Sequence, residues 1–350
     1  MQPGQERYDF ASDNTAGICP EALAALQAAD HDYAASYGFD DLTKKVCDRV
    51  REIFETDCDV YLVFNGTAAN ALALAQISQP FHAIFCHQNA HIQTDECGAP
   101  EFFTGGSKLM TVKGANGKID LAEMNALAER LCDLHSHAPR VVSVAQSTEF
   151  GTVYGLQELA IISDFVRSRK MRWHMDGARF ANAIAALGCA PKEITWQLGL
   201  DVLCFGGTKN GLGAGELVVF FAKELAAEFE YRAKQAGQLA SKMRFMAAPW
   251  DALFRNDLWL ANARHANAAA ARLADELSKG CGLNPVFPVQ ANGVFLRLSD
   301  AIAAGLRQRG WHFGNFFEPG IYRLMCSWAT PNERIDQFVA DATAVVGAAR

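Results

Sequence analysis

Lys209 is the residue whose setting suggests chemistry first. It lies just past an apolar run, in Phe205-Gly206-Gly207-Thr208-Lys209-Asn210-Gly211, with glycines on both sides that let another group come close. A lysine drawn into a partly apolar site has a lowered pKa and can form a Schiff base with a carbonyl; the plainer alternative is a solvent-facing loop lysine. Asp176 comes 33 residues earlier, in His174-Met175-Asp176-Gly177-Ala178-Arg179. At the end of a strand in an open α/β sheet it would stand where such sheets bind ligands, and it could hold a ring nitrogen protonated. It could equally cap the next helix. Asn65-Gly66-Thr67 follows VYLVF and opens a helix, whose free N–H groups and dipole suit a phosphate as well as they suit an ordinary cap. No Lys follows, so this is not a Walker motif. His91, ahead of Asp95-Glu96-Cys97, could stack on a flat ring or be structural.

These residues need elements to hold them. The spacing of Leu42, Val46, Val50 and Phe54 predicts a helix over 41–56. Strands are expected at 60–64, 83–86, 141–145, 171–176, 201–207 and 216–222, separated by helices at 68–75, 156–170 and 181–187. Strands alternating with helices imply a mostly parallel sheet covered on both faces. Near Ala248-Pro249 the character changes to a long helix over 258–279, short strands near 283–288, 293–298 and 321–326, and a last helix over 333–346. The expected division is a large domain over 35–247 and a smaller α+β domain over 248–350, with residues 1–34 packing on the smaller one.

The chain has 350 residues, half of them hydrophobic, with 32 Lys+Arg against 39 Asp+Glu and a net charge of −7. It is too apolar to be disordered. Its charge argues against nucleic acid or an anionic membrane as the main partner. No apolar run is long enough to span a bilayer and no signal peptide is seen. The ten cysteines are scattered without a CxxC. They read as small buried hydrophobes in a reducing compartment rather than disulfides or metal ligands, and a cytoplasmic protein is expected.

Taken in order, SDN (12–14), YG (37–38), NGTAANALAL (65–74), AH (90–91), QSTEFGTVY (146–154), HMDGARFANA (174–183), FGGTKNG (205–211) and YRLMCSW (322–328) resemble the low-specificity L-threonine aldolases. These belong to the β-eliminating lyase group of pyridoxal 5'-phosphate enzymes with the aspartate-aminotransferase fold, fold type I. The resemblance covers nearly the whole chain. It implies a seven-stranded-type sheet in the large domain and cleavage of L-threonine, L-allo-threonine and related β-hydroxy-α-amino acids to glycine and an aldehyde.

The same resemblance implies roles for particular residues. Lys209 would carry the cofactor as a Schiff base, Asp176 would pair with the pyridinium nitrogen and His91 would stack on the ring. Gly66, Thr67 and Thr208 would hold the phosphate, and Arg179 would reach the phenolic oxygen side. Ser12 and Arg323, with Arg179 nearby, would bind the substrate carboxylate. Tyr37 would line the pocket from a neighbouring subunit of a homodimer or homotetramer with its sites at the dimer interface. The family's SDTVT reads SDNTAG here, and its ENTHN reads AQSTE. The base for the β-hydroxyl proton is expected at His135, with His137 or a water held by His91 as alternatives. Other readings of the motif set are a phenylserine aldolase, another pyridoxal-phosphate β-eliminating lyase or aminotransferase, and a non-enzymatic cofactor-binding protein. A nicotinamide enzyme is disfavoured, since no GxGxxG follows a strand.

Overall fold

In a computed structural model that describes residues 6–131 and 133–349, the chain forms two sheets with helices packed on them. The strands are β1 (Asp59–Val63), β2 (His82–His87), β3 (Lys108–Val112), β4 (Ala138–Ala145), β5 (Arg172–Gly177), β6 (Val202–Gly206), β7 (Glu216–Phe220), β8 (Gly293–Arg297), β9 (Gly314–Phe316) and β10 (Glu318–Met325). The helices are α1 (Pro20–Ala29), α2 (Asp41–Phe54), α3 (Gly66–Ile77), α4 (His91–Thr94), α5 (Ala99–Thr104), α6 (Leu121–Arg130), α7 (Leu156–Ser168), α8 (Phe180–Leu187), α9 (Phe229–Gln235), α10 (Arg244–Phe254), α11 (Leu258–Cys281), α12 (Asp300–Gln308) and α13 (Asn332–Ala349).

The large sheet has the order β1-β7-β6-β5-β4-β2-β3. β7 pairs antiparallel with both neighbours, and the other strands run one way. β6 and β7 are buried at every position, as a sheet covered on both faces requires. Because the strands are parallel, their C-terminal ends and the loops that leave them gather along one edge. The small sheet is antiparallel, in the order β8-β10-β9.

Local sequence accounts for several of these elements. Asp40 caps α2, its carboxylate accepting the Thr43 N–H at 2.8 Å, and the helix turns Val46, Val50 and Phe54 into the core. Gly282 ends α11 in the left-handed conformation, with φ 76°.

The expected boundary at 247/248 falls inside α10. Trp250 of α10 packs edge-on against Phe205 of β6, with ring centroids 5.3 Å apart, so α10 belongs to the core of the large sheet. The change of core comes within α11: Trp259 and Ala263 join the large core, while Ala269 through Cys281 join the small one. The N-terminal segment also divides. Phe10 joins the small core, but Cys19 and Ala22 pack into the large one. Residues 1–5 and Cys132 lie outside the described residues. The strand expected near 283–288 is reduced to an isolated bridge from Pro285 to Leu296.

Candidate functional site

Four segments meet at the C-terminal edge of the large sheet. They are the start of α3 after β1, the His91 turn after β2, the end of β5 and the loop after β6. Asp176, the next-to-last residue of β5, is buried, and both its oxygens are engaged. Oδ2 accepts from Asn70 Nδ2 at 2.9 Å and Oδ1 from the Ala178 N–H at 3.0 Å. Burial alone would raise its pKa; the charge of His91, the Ala178 N–H and Lys209 outweigh that and hold the carboxyl below the usual range. Beneath it, His174 bonds Ser143 at 2.8 Å, and burial lowers it to about 4, so that ring is neutral.

Asn70 follows Gly66 by four residues and so lies on the same face of α3. Its amide bridges Asp176 and Glu96, the latter at 2.9 Å. Glu96 Oε1 also bonds His91 Nδ1 at 2.8 Å, which raises the pKa of that imidazole against its burial. One ligand atom each of His91, Glu96 and Asp176 lie within 4.8 Å of one another, and the shared Asn70 amide ties the two carboxylates together. Sequence reasoning passed over Asn70 and Glu96, although both stand inside quoted motifs.

Lys209 sits in the short turn after β6. Its Nζ makes no hydrogen bond or ion pair with a described residue. Burial and then Arg179 lower its pKa, while Asp13, Asp176 and Glu216 oppose them. The glycines before it are sterically required: a Cβ on Gly207 would stand 2.5 Å from Trp250 and one on Gly206 would stand 2.4 Å from the Ala178 carbonyl. Glu216 of β7 steadies the turn, accepting the Gly207 N–H at 2.7 Å and the Thr208 side chain. Burial raises Glu216 to about 7. The Thr208 side chain, expected at a phosphate, here hydrogen-bonds Glu216.

Arg179 forks onto Asp13, with Nε to Oδ2 at 2.7 Å and Nη2 to Oδ1 at 3.0 Å. Asn292 adds a bond to Asp13 at 3.1 Å, and the carboxyl is held at about 2: Arg179 and Lys209 outweigh its burial. Ser12, beside it, caps the Asp13–Thr15 turn by accepting the Asn14 N–H at 3.1 Å. One edge of the Arg179 guanidinium, its Nε and Nη2, is therefore spent within the protein. Arg323 of β10 differs: it makes no hydrogen bond or ion pair with a described residue and stands over the Phe316 ring at 5.7 Å. Burial and the nearby charge of Arg179 lower its pKa.

At the start of α3, Asn65 accepts the Ala68 N–H at 2.9 Å, which leaves the Gly66 and Thr67 N–H groups without helical partners. A Cβ on Gly66 would meet nothing within 4 Å, so the space over this helix end is open.

Three expected residues are not brought to the cluster. His135 lies on an exposed turn before β4, its N–H bonded to Asp133, at the opposite end of that strand from the residue paired with Asp176. His137 adjoins the same wrong end. Tyr37, with φ 57°, packs under the Lys234 ammonium at 4.7 Å and is half exposed; no hydrogen bond or ring contact among the described residues joins it to the cluster.

Among the described residues the site offers an unpaired, half-buried amine, an ionised buried carboxylate, an imidazole beside it, open helix-start N–H groups and an unpaired guanidinium. This donor set fits an anionic aromatic aldehyde such as pyridoxal phosphate, together with a carboxylate substrate.

Comparisons with known proteins agree with that donor set. Residues 9–301 match the model of the beta-eliminating lyase family. The chain is 50% identical over 343 residues to a low specificity L-threonine aldolase of a Pseudomonas strain, covering 98% of this chain and 99% of that protein. It is 51% identical over 339 residues to the Pseudomonas aeruginosa protein of the same name, covering 97% and 98%. Among solved structures, the Leishmania major threonine aldolase superposes with a TM-score of 0.91 at 27% identity, over 97% of this chain and 100% of that one.

Proposed function

The chain belongs to the beta-eliminating lyase family, and from that premise we propose that it is a pyridoxal-phosphate-dependent lyase of fold type I. It cleaves L-threonine and related β-hydroxy-α-amino acids to glycine and an aldehyde. The observation that carries the reading is Lys209: a half-buried amine, unpaired among the described residues, on a glycine-walled turn near the ionised carboxylate of Asp176.

Lys209 would hold the cofactor through Nζ, and its lowered pKa keeps a share of the amine unprotonated, as attack on a carbonyl needs. Asp176 would hold a proton on the ring nitrogen, His91 would cover the ring, and the Gly66 and Thr67 N–H groups would take the phosphate. When bound, pyridoxal phosphate supplies an electron-poor ring that accepts the pair released as Cα–Cβ breaks. Arg323 would fork onto the substrate carboxylate and so fix how that bond points, a positioning effect. Asp13 holds Arg179 rigid beside it.

The acting form is a homodimer or homotetramer with sites at the dimer interface, supported by the exposure of Tyr33, Tyr37 and Phe39. The compartment is the cytoplasm: every described cysteine is free, most are buried, and thiols persist in reducing surroundings. Cys97 is the exposed exception. Among the described residues no helix is long and apolar enough to cross a membrane.

The test is product analysis of the holoenzyme with L-threonine, L-allo-threonine, phenylserine, serine and alanine. Glycine and the matching aldehyde in equal amounts are expected from the β-hydroxy substrates. Pyruvate from serine, or keto acid from alanine, as the main product would replace this reading with β-elimination or transamination.

A further inference from the structure

One carboxylate at the site has no role in the account above. The Thr148 carbonyl accepts the Gly151 N–H at 3.0 Å, so Glu149 and Phe150 occupy the middle of a tight turn after β4. Glu149 Oε1 accepts the backbone N–H of His91 at 2.8 Å. Its Oε2 is sealed from solvent and has no hydrogen-bond partner among the described residues. The next residue, Phe150, packs edge-on against Phe316 with centroids 5.2 Å apart, and Arg323 stands over that same Phe316 ring at 5.7 Å. Glu149 therefore lies between His91, which would cover the cofactor ring, and the aromatic floor that carries Arg323. A β-hydroxy-α-amino acid held by Arg323 and Lys209 would occupy that gap.

A buried carboxylate oxygen without a donor is costly, and an incoming hydroxyl would satisfy it. Burial, with Asp176 acting in the same direction, raises the Glu149 carboxyl to about 7; its own N–H, that of His91 and the His91 charge oppose the rise. The other groups that face it are Arg179 at the start of α8, Cys86 of β2 and Tyr154 beyond the turn. His135 and His137 stand at the far end of β4. Glu96 also has a buried Oε2 without a partner among the described residues, but its Oε1 is tied to His91 Nδ1 and Asn70, on the side of the imidazole that faces Asp176.

We propose that Glu149 is the catalytic base that takes the β-hydroxyl proton during cleavage, an inference that rests on the aldolase reading above. The hydroxyl O–H bond breaks and its proton passes to Oε2. The pair left on oxygen closes the aldehyde C=O as Cα–Cβ breaks, and the Cα–Cβ pair remains on Cα. Cα then takes a proton to become glycine, which balances the proton that Oε2 holds and gives up before the next turnover. The base must be ionised, so cleavage rises with pH through about 7.

The experiment uses the holoenzyme, Glu149→Gln and Glu149→Asp. It measures threonine cleavage against pH, exchange of the glycine α-hydrogen in heavy water, and affinity of the apo-protein for pyridoxal phosphate. Glycine has no β-hydroxyl, so its exchange does not need this base. For Glu149→Gln, cleavage is expected to fall by about 10²–10⁴-fold and to lose the rise near pH 7. Its glycine exchange and cofactor affinity are expected to stay at the parent level. Glu149→Asp keeps a carboxylate and is expected to keep the pH-dependent rise. Near-parental cleavage by Glu149→Gln, a parallel loss of glycine exchange, or loss of the rise in Glu149→Asp overturns the proposal. A parent enzyme that exchanges glycine but cleaves no β-hydroxy-α-amino acid defeats the aldolase reading itself, a separate outcome.

Discussion

Asp13 shows how much of the site is maintained by single residues that never touch a substrate. Its carboxylate is buried against the fork of Arg179, and Asn292 ties it to the small sheet through the Cys326 carbonyl at 2.7 Å. Removing one member of a buried pair leaves the other charge uncompensated. Asp13→Ala is expected to destabilise the protein by about 3–5 kcal/mol in chemical denaturation. The pH dependence has a fixed sign. The folded-state pKa, about 2, lies below the ordinary 3.8, so this contribution is present above pH 3.8 and is lost as pH falls through about 2. A variant that matches the parent in denaturation midpoint at neutral pH would show that the pair is not structural. Glu216 has the opposite sign: its raised pKa means that its ionisation costs stability as pH rises through about 7, next to the turn that carries Lys209.

At the scale of elements, the alternation of apolar runs with helical spacings placed β1, β2, β4, β5, β6 and β7, because strands buried on both faces are nearly continuous apolar runs. β3 did not read as a strand. Its KLMTV is only partly buried and sits at the sheet edge, so tertiary pairing with β2 decides it rather than pattern. The site was legible where a residue type is tied to a strand end or a helix start, as with Lys209, Asp176, His91 and Gly66. It was not legible for Glu96, Asn70, Glu149 and Asp13, whose roles come from partners 26 to 166 residues away. His135 fails for a related reason. Closeness in sequence to β4 says nothing about which end of the strand faces the cluster. The point where one core gives way to the other was not legible, because α11 is continuous across both, leaving no loop or composition shift there.

For the whole molecule, the negative net charge and the cationic site are compatible. Lys209, Arg179 and Arg323 bring positive charge to where an anionic cofactor and a carboxylate would lie, although Asp13, Asp176 and Glu216 stand beside them. The exposed aromatic residues at 33, 37 and 39 follow α1 on a face that one chain leaves uncovered. Sedimentation is expected to give a dimer or tetramer, and Tyr37→Ala to weaken substrate binding. A fully active monomer would contradict the shared-site arrangement.

The central claim is that Lys209, set against Asp176, makes this chain an aldolase, and Lys209→Ala tests it most directly. The parent, supplied with pyridoxal phosphate, is expected to be yellow, to lose colour and activity together on borohydride treatment, and to convert L-threonine to glycine and acetaldehyde. Lys209→Ala is expected to bind the cofactor without a borohydride-sensitive link and to form no glycine. Continued cleavage of L-threonine by Lys209→Ala with bound cofactor would contradict the account.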